Sequence, residues 1–157
     1  MVPAELLAHL LAKAALIAAD PAVTRLNAVN LDGTPLRGTE MRSANLEGVD
    51  LRDRDLRGAD LSNANLRFAN LRLVDLSYAC FNNADLRGAE LSYANLSHAD
   101  LRGANLSGAN LIEADLRGAN LQGANLQGAD FTDADVREIN LNNALLPDGV
   151  RHPPFAS

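Results

Sequence analysis

Apolar residues recur at every fifth position along most of this chain. From Leu26 to Leu146, each fifth residue is Leu, Met, Phe or Val, and the register does not slip. A second apolar position, usually Ala, lies two residues before each of these from Ala44 to Ala144. Four units have another residue in place of this Ala, namely Val49, Arg54, Val74 and Ile139. A period of five matches neither the α-helix nor the β-strand, so the pattern predicts a chain that turns within every five residues.

The five positions of each unit have distinct predicted roles when they are numbered from the usual Ala. Positions one and three are two residues apart, which places both on the same side of a short extended piece while position two faces the other way. Position five, here called the corner, is most often Gly, Asn or Asp. These residues tolerate the positive φ of tight turns. A chain that turns regularly with one side inward winds into an all-β solenoid of stacked coils.

The units ADLRG, ANLSG, ANLQG and ADLSN resemble the motif of the pentapeptide-repeat family, and the resemblance extends over about residues 24 to 146. It implies a right-handed quadrilateral β-helix of about six coils, in which four units form one square coil and residue n lies on residue n+20. We therefore divide the chain into an N-terminal cap at 1–22, a β-helix at 23–147 and a C-terminal tail at 148–157.

The N-terminal segment predicts an amphipathic helix from about residue 4 to residue 19. Glu5, His9 and Lys13 are four residues apart and fall on one side of a helix, while apolar residues cover the rest. The apolar stretch is shorter than the roughly 20 residues that span a bilayer, and its charges disfavour a signal peptide. We expect this helix to cap the first coil of a cytoplasmic protein without a membrane segment.

Composition excludes several classes of function. The formal charge of −6 disfavours direct binding to nucleic-acid phosphates. The single cysteine, Cys80, excludes an internal disulfide, and the three histidines have no metal-ligand or nucleophile motif around them. The sequence therefore predicts no enzyme activity, no metal site and no cofactor.

Stacking by 20 residues concentrates acidic residues on one side of the predicted rod. This acidic face is built on Leu31, Leu51, Leu71, Leu91, Leu111 and Phe131, and carries a formal charge of −5. Its carboxylates are Asp32, Asp50, Asp53, Glu90, Glu113, Asp130 and Asp133, against Arg52 and Arg72. Two interpretations stay open: a preference of the scaffold for Asp at position two, or a strip that attracts a basic partner or imitates DNA.

Large side chains replace Gly or Asn at consecutive corners near the middle of the chain. Phe68, Leu73 and Tyr78 occupy these corners, and Tyr93 and His98 follow one coil later. We call these five residues the interaction patch, and we expect a contiguous exposed cluster around two corners of the rod that borders the acidic face at Leu73 and Tyr93. The turns at Phe68, Leu73 and Tyr78 are expected to have negative φ. Such a cluster resembles a protein-binding surface, although stacked rings that stabilise neighbouring coils are the alternative.

The favoured function is a rigid, non-enzymatic scaffold that binds a protein partner. The alternative, implied by the family resemblance, is a DNA mimic that inhibits or protects DNA gyrase or another topoisomerase. A Pro-rich tail in place of a helical C-terminal module, and the many arginines at position four, weigh against the mimic. The chain is expected to be a monomer, or a homodimer formed through a solenoid end or the N-terminal helix. Arg54 is predicted to point inward, and we expect either a local distortion of the coil or a side chain that reaches out towards Asp53 or Asp55.

Overall fold

The computed structural model describes residues 36–148. The predicted helix at residues 4–19, the cap at 1–22, Asp32 and nearly all of the C-terminal tail lie outside the described residues. Within 36–148 there is no helix and no extended strand, because each five-residue unit contributes one bridging residue at position two and then turns. The β-structure is therefore a series of isolated bridges rather than long strands.

Parallel bridges join every residue at position two to the residue twenty positions later. The series runs from Glu40↔Asp60 to Asn125↔Leu145 without a change of register. At the first bridge, the Met41 N–H donates to the Asp60 carbonyl at 2.7 Å and the Asp60 N–H donates to the Thr39 carbonyl at 2.9 Å. Four units therefore complete one coil, as the family resemblance implies, and the described residues make more than five coils.

Each unit turns through a hydrogen bond from the following position-one N–H to the position-three carbonyl. The Ala69 N–H, for example, donates to the Leu66 carbonyl at 3.1 Å. The corner residue between them has positive φ, as the third residue of a type II turn requires. Asn or Asp at position two supports this turn by accepting from the N–H two residues later, as Asn95 does from Ser97 at 3.0 Å. This Asx hydrogen bond explains why Asn and Asp fill most of the second positions, from which Glu40, Cys80, Glu90 and Leu145 depart.

The expectation of negative φ at the three bulky corners is wrong. Phe68, Leu73 and Tyr78 have φ of 56°, 59° and 60°. Their N–H groups donate to the next coil in the same way as those of the glycine corners, at 3.0, 3.2 and 3.0 Å. The coils on either side therefore impose the left-handed conformation, whatever side chain occupies the corner.

Leucine and alanine fill the interior from the first described coil to the fifth. Leu56 through Leu121 at position three are fully buried, as are the alanines at position one. The last coil is more open, since Phe131 is half-buried and Val136 is 44% exposed. Arg54 is half-buried. The residue is therefore not sealed inside the core.

Candidate interaction surface

Four large apolar side chains point into solvent from the corners of the middle coils. Phe68 is 59% exposed, Leu73 54%, Tyr78 68% and Tyr93 46%. Their immediate neighbours at position one are buried, as Ala69 and Ala79 show. The same turn that buries one side chain thus forces the preceding corner side chain outward.

The twenty-residue register assigns the interaction patch to three separate corners. Tyr78 and His98 share one corner, and their rings stack with centroids 5.1 Å apart and planes inclined by 15°. Leu73 and Tyr93 share the next corner, and Phe68 lies on the corner beyond that. The structure therefore brings Tyr78 and His98 into contact and separates them from Phe68, which lies on the diagonally opposite corner. The expectation of a single cluster around two corners is wrong, because a coil of twenty residues places residues 68, 73 and 78 on three different corners.

Large corner side chains lean over the residue twenty positions later, and glycine provides the space. A Cβ added to Gly88 would lie 2.7 Å from the Phe68 ring, and one added to Gly118 would lie 2.6 Å from Nδ1 of His98. The guanidinium of Arg67 covers the Phe68 ring at 5.4 Å from its centroid. The sequence contains this signal as a glycine twenty residues after a bulky corner, but the reasoning from periodicity missed it.

Two open grooves flank the Tyr78–His98 stack along its corner. The groove of about 400 Å³ on the C-terminal side is lined by Tyr78, Ser97, His98, Arg117, Arg137 and Glu138. The groove of about 450 Å³ on the N-terminal side is lined by Arg37, Gly38, Arg57, Gly58, Ser77 and Tyr78. Of these residues, the sequence analysis had selected Tyr78 and His98.

Arginine at position four neutralises aspartate at position two within the same unit. Arg57 contacts Asp55 at 2.5 Å and lowers the pKa of that carboxyl to about 2 through its side-chain hydrogen bond. Arg137 has the same effect on Asp135, whose pKa is also about 2. Equivalent pairs are Asp50–Arg52, Asp85–Arg87, Asp100–Arg102 and Asp115–Arg117. Much of the acidity outside the acidic face is therefore paired at contact distance.

Three carboxylates of the acidic face, those of Glu90, Glu113 and Asp130, are bound by neutral donors. Glu90 accepts from Asn110 at 3.0 Å, and Asp130 accepts from the Thr132 hydroxyl at 2.6 Å. The Tyr93 hydroxyl donates to Glu113 at 3.1 Å, and this hydrogen bond raises the pKa of Tyr93. Asp50 is the exception because Arg52 pairs with it. The negative charge of this face is thus concentrated towards the C-terminal coils.

Cys80 contacts polar groups rather than a catalytic partner. Its Sγ lies 3.1 Å from Ser62 Oγ and accepts from the Asn82 amide at 3.2 Å. In residues 36–148, no group of three His, Cys, Asp or Glu side chains is placed to hold a metal ion. The same part of the chain contains no helix long and apolar enough to cross a membrane.

Comparison with known proteins identifies the repeat. A model of pentapeptide repeats matches in eight copies, over residues 24–58, 40–77, 55–92, 69–108 and 109–146. The crystal structure of Rfr23, a pentapeptide-repeat protein from the cyanobacterium Cyanothece 51142, is 37% identical, with a TM-score of 0.68 over 75% of this chain and 91% of that one. The structure of alr5209 from Nostoc PCC 7120, a protein of the same kind, is 50% identical, with a TM-score of 0.50 over 54% of this chain and 67% of that one. No curated protein matched the sequence. With its unbroken five-residue register and twenty-residue coils, this chain belongs to the pentapeptide-repeat family and forms a right-handed β-helical solenoid.

Proposed function

We propose that this protein is a rigid, non-enzymatic interaction module that binds a protein partner through the corners of its middle coils. The observation that carries the proposal is that bulky apolar side chains occupy strained, exposed backbone positions. Leu73 and Tyr93 have φ of 59° and 61°, whereas glycine, asparagine or aspartate occupies most of the other corners. A non-glycine residue in this conformation costs about 1–2 kcal/mol, and strain of this kind is typical of functional sites.

The solenoid suits this role because it holds its corners rigidly. Each corner N–H from Gly38 to Gly128 is bonded to the next coil, and each turn is closed by its own hydrogen bond. Side chains along one corner therefore repeat at the spacing of paired strands, about 4.8 Å. When a partner that matches this spacing binds, the rod loses little conformational entropy, since its surface is already ordered.

A capture experiment tests the proposal. The patch variant Phe68→Asn, Leu73→Asn, Tyr78→Asn and Tyr93→Asn removes the exposed apolar surface while placing a residue that already occupies corners of this chain. The matched control, Asn63→Ser with Asn83→Ser, changes the remaining corner. Partners recovered from an extract of the source organism by the wild type and the control, but lost with the patch variant, would support the module. Equal recovery by all three proteins would count against it, provided that their circular dichroism spectra agree.

DNA mimicry of the kind that targets topoisomerases is the second candidate function. It is favoured by the carboxylates of the acidic face that are bound by neutral donors, including Glu90 and Asp130. The ion pairs on the other faces interrupt the negative field, which makes the rod a weaker imitation of a DNA backbone. A supercoiling assay with purified gyrase decides: the absence of both inhibition and drug protection at micromolar protein would exclude the mimic.

A further inference from the structure

The groove on the C-terminal side of the Tyr78–His98 stack is lined by two aromatic rings, two arginines and the carboxylate of Glu138. We propose that it binds an arginine side chain presented by the protein partner. This inference rests on the proposed function and specifies the chemistry of one contact within it.

The aromatic stack ends at this groove. Tyr78 packs against one side of His98, and the His98 ring leans over Gly118, which has no side chain of its own. The next residue along this corner is Glu138, two coils beyond His98. Two coils separate the backbones of His98 and Glu138 by about 10 Å. The His98 ring already covers Gly118, so a planar group would enter the space that remains between the imidazole and Glu138, both of which line the groove.

The charges that line the groove are not equally available. Arg117 contacts Asp115 at 2.6 Å and lies 3.7 Å from Asp135. Arg137 pairs with Asp135 at 2.6 Å. Glu138, by contrast, has no hydrogen-bond or ion-pair partner among residues 36–148. The carboxylate of Glu138 is therefore the unpaired charge of the groove, and a cation from the partner would complement it.

Arginine fits this gap better than lysine. Its guanidinium is planar, stacks on aromatic rings and donates two parallel hydrogen bonds to a carboxylate. The protein already makes a related contact within its own chain, where Arg67 covers the Phe68 ring beside Gly88. At the His98 corner no residue of the described chain fills the equivalent place, and the partner would supply the guanidinium.

Titration of the isotope-labelled full chain with Nα-acetyl-arginine amide, followed by amide chemical shifts, tests the assignment. We expect saturable shifts at His98, Gly118 and Glu138. Nα-acetyl-citrulline amide, a neutral analogue of the same shape, and Nα-acetyl-lysine amide should bind more weakly. Glu138→Gln should weaken arginine binding about threefold, as expected for one exposed ion pair. Glu47→Gln removes a carboxylate on a different face and should change nothing.

Gly118→Asn provides a second variant, since its Cβ would lie 2.6 Å from the present position of Nδ1 of His98. The imidazole must then leave its place beside the groove, and the shifts should be abolished. Equal binding of arginine and citrulline, equal binding of arginine and lysine, or unchanged affinity in Glu138→Gln would overturn the inference. These results are separable from the capture experiment. Partners lost with the patch variant in the absence of arginine binding would overturn this contact alone, whereas partners retained by that variant would overturn the module itself.

Discussion

At the scale of single residues, the informative feature is the left-handed backbone of bulky corners. Glycine adopts positive φ without steric cost, and asparagine does so more readily than other side chains. Leu73 and Tyr78 adopt it although their side chains are mostly exposed and gain little from burial. Stability alone would favour other residues at these positions, which is why their presence suggests a role in binding.

Replacing Leu73 with asparagine should stabilise the protein. We expect Leu73→Asn to raise the free energy of unfolding by about 1 kcal/mol, because the strain is relieved and little packing is lost. Urea denaturation followed by circular dichroism measures the change. Val74→Asn is the matched control at the adjacent buried position and should destabilise by about 3 kcal/mol. A loss of stability in Leu73→Asn would show that its side chain serves the fold.

The aspartate–arginine pairs make stability depend on pH in the acid range. The pKa values of Asp55 and Asp135 are about 2 in the folded protein because arginine hydrogen-bonds to each, below the ordinary value of about 3.9 in an unfolded chain. Their contribution to stability is therefore complete above about pH 4 and is lost as the pH falls towards 2. Both groups are substantially exposed, so solvent screens each pair and its individual effect is small.

We expect the urea concentration at the unfolding midpoint to decrease as the pH is lowered from 4 to 2. Asp55→Asn retains an oxygen that can accept the Arg57 N–H but lacks the charge, so its midpoint should depend less steeply on pH than that of the wild type. Identical slopes for the two proteins would contradict the assignment of this pair.

At the scale of structural elements, each corner acts as a column in which one side chain limits the next residue. Gly88 and Gly108 lie in the same column and have nearly equal φ, 64° and 67°. A Cβ on Gly88 meets the Phe68 ring at 2.7 Å, whereas a Cβ on Gly108 meets nothing within 4 Å. Comparing the same substitution at the two glycines therefore separates the energetic cost of backbone strain from that of contact with the Phe68 ring.

Gly88→Ala should cost more stability than Gly108→Ala. Both variants introduce left-handed strain of about 1 kcal/mol, but only the first also displaces the Phe68 ring. In the background of Phe68→Asn, the cost of Gly88→Ala should fall towards that of Gly108→Ala. The unfolding free energies of the wild type, Gly88→Ala, Phe68→Asn and the double variant form a double-mutant cycle. A coupling energy of zero between the two substitutions would mean that Phe68 does not constrain Gly88.

At the scale of the whole molecule, the interior repeats every five residues while the exterior does not. Apart from the unit that begins with Arg54, any unit from Ala44 to Ala144 can replace any other as far as the core is concerned, because each contributes two apolar side chains at positions one and three. The interaction patch, the acidic face and the groove each depend instead on which residues are separated by twenty. A shift of later units by five residues is therefore compatible with the core, but it changes which side chains are neighbours on the surface.

Deleting one complete unit should leave the protein folded. Removal of residues 104–108 keeps every later apolar residue in register, so we expect a cooperative thermal transition and an unchanged type of circular dichroism spectrum. Removal of Gly108 alone shifts every later residue by one position and should abolish cooperative unfolding of the C-terminal coils. The five-residue deletion also moves Gly118 and Glu138 one corner away from His98, and arginine binding should be lost. Equal damage by the two deletions would contradict a core built from interchangeable units.

The amino-acid sequence by itself determined the period of five, the inward and outward positions and the regular turns. These three features follow from local rules, since apolar residues spaced by five stay on one side of the chain only if the chain turns within every unit. Burial of Leu66 through Phe81 on the inner side, and exposure of Phe68, Leu73 and Tyr78, agree with that prediction. Four units per coil came from the family resemblance, because closure of a coil depends on contacts between residues twenty positions apart.

Only the tertiary structure decided the conformation of the bulky corners and the composition of the grooves. Local preference favours negative φ for Leu73, but hydrogen bonds to the coils on both sides require a positive value. The groove joins His98 to Glu138, residues forty positions apart that become neighbours only when the coils stack. The physical reason is the same in both cases: pairing between coils outweighs the preference of a single residue, and no local pattern contains that information.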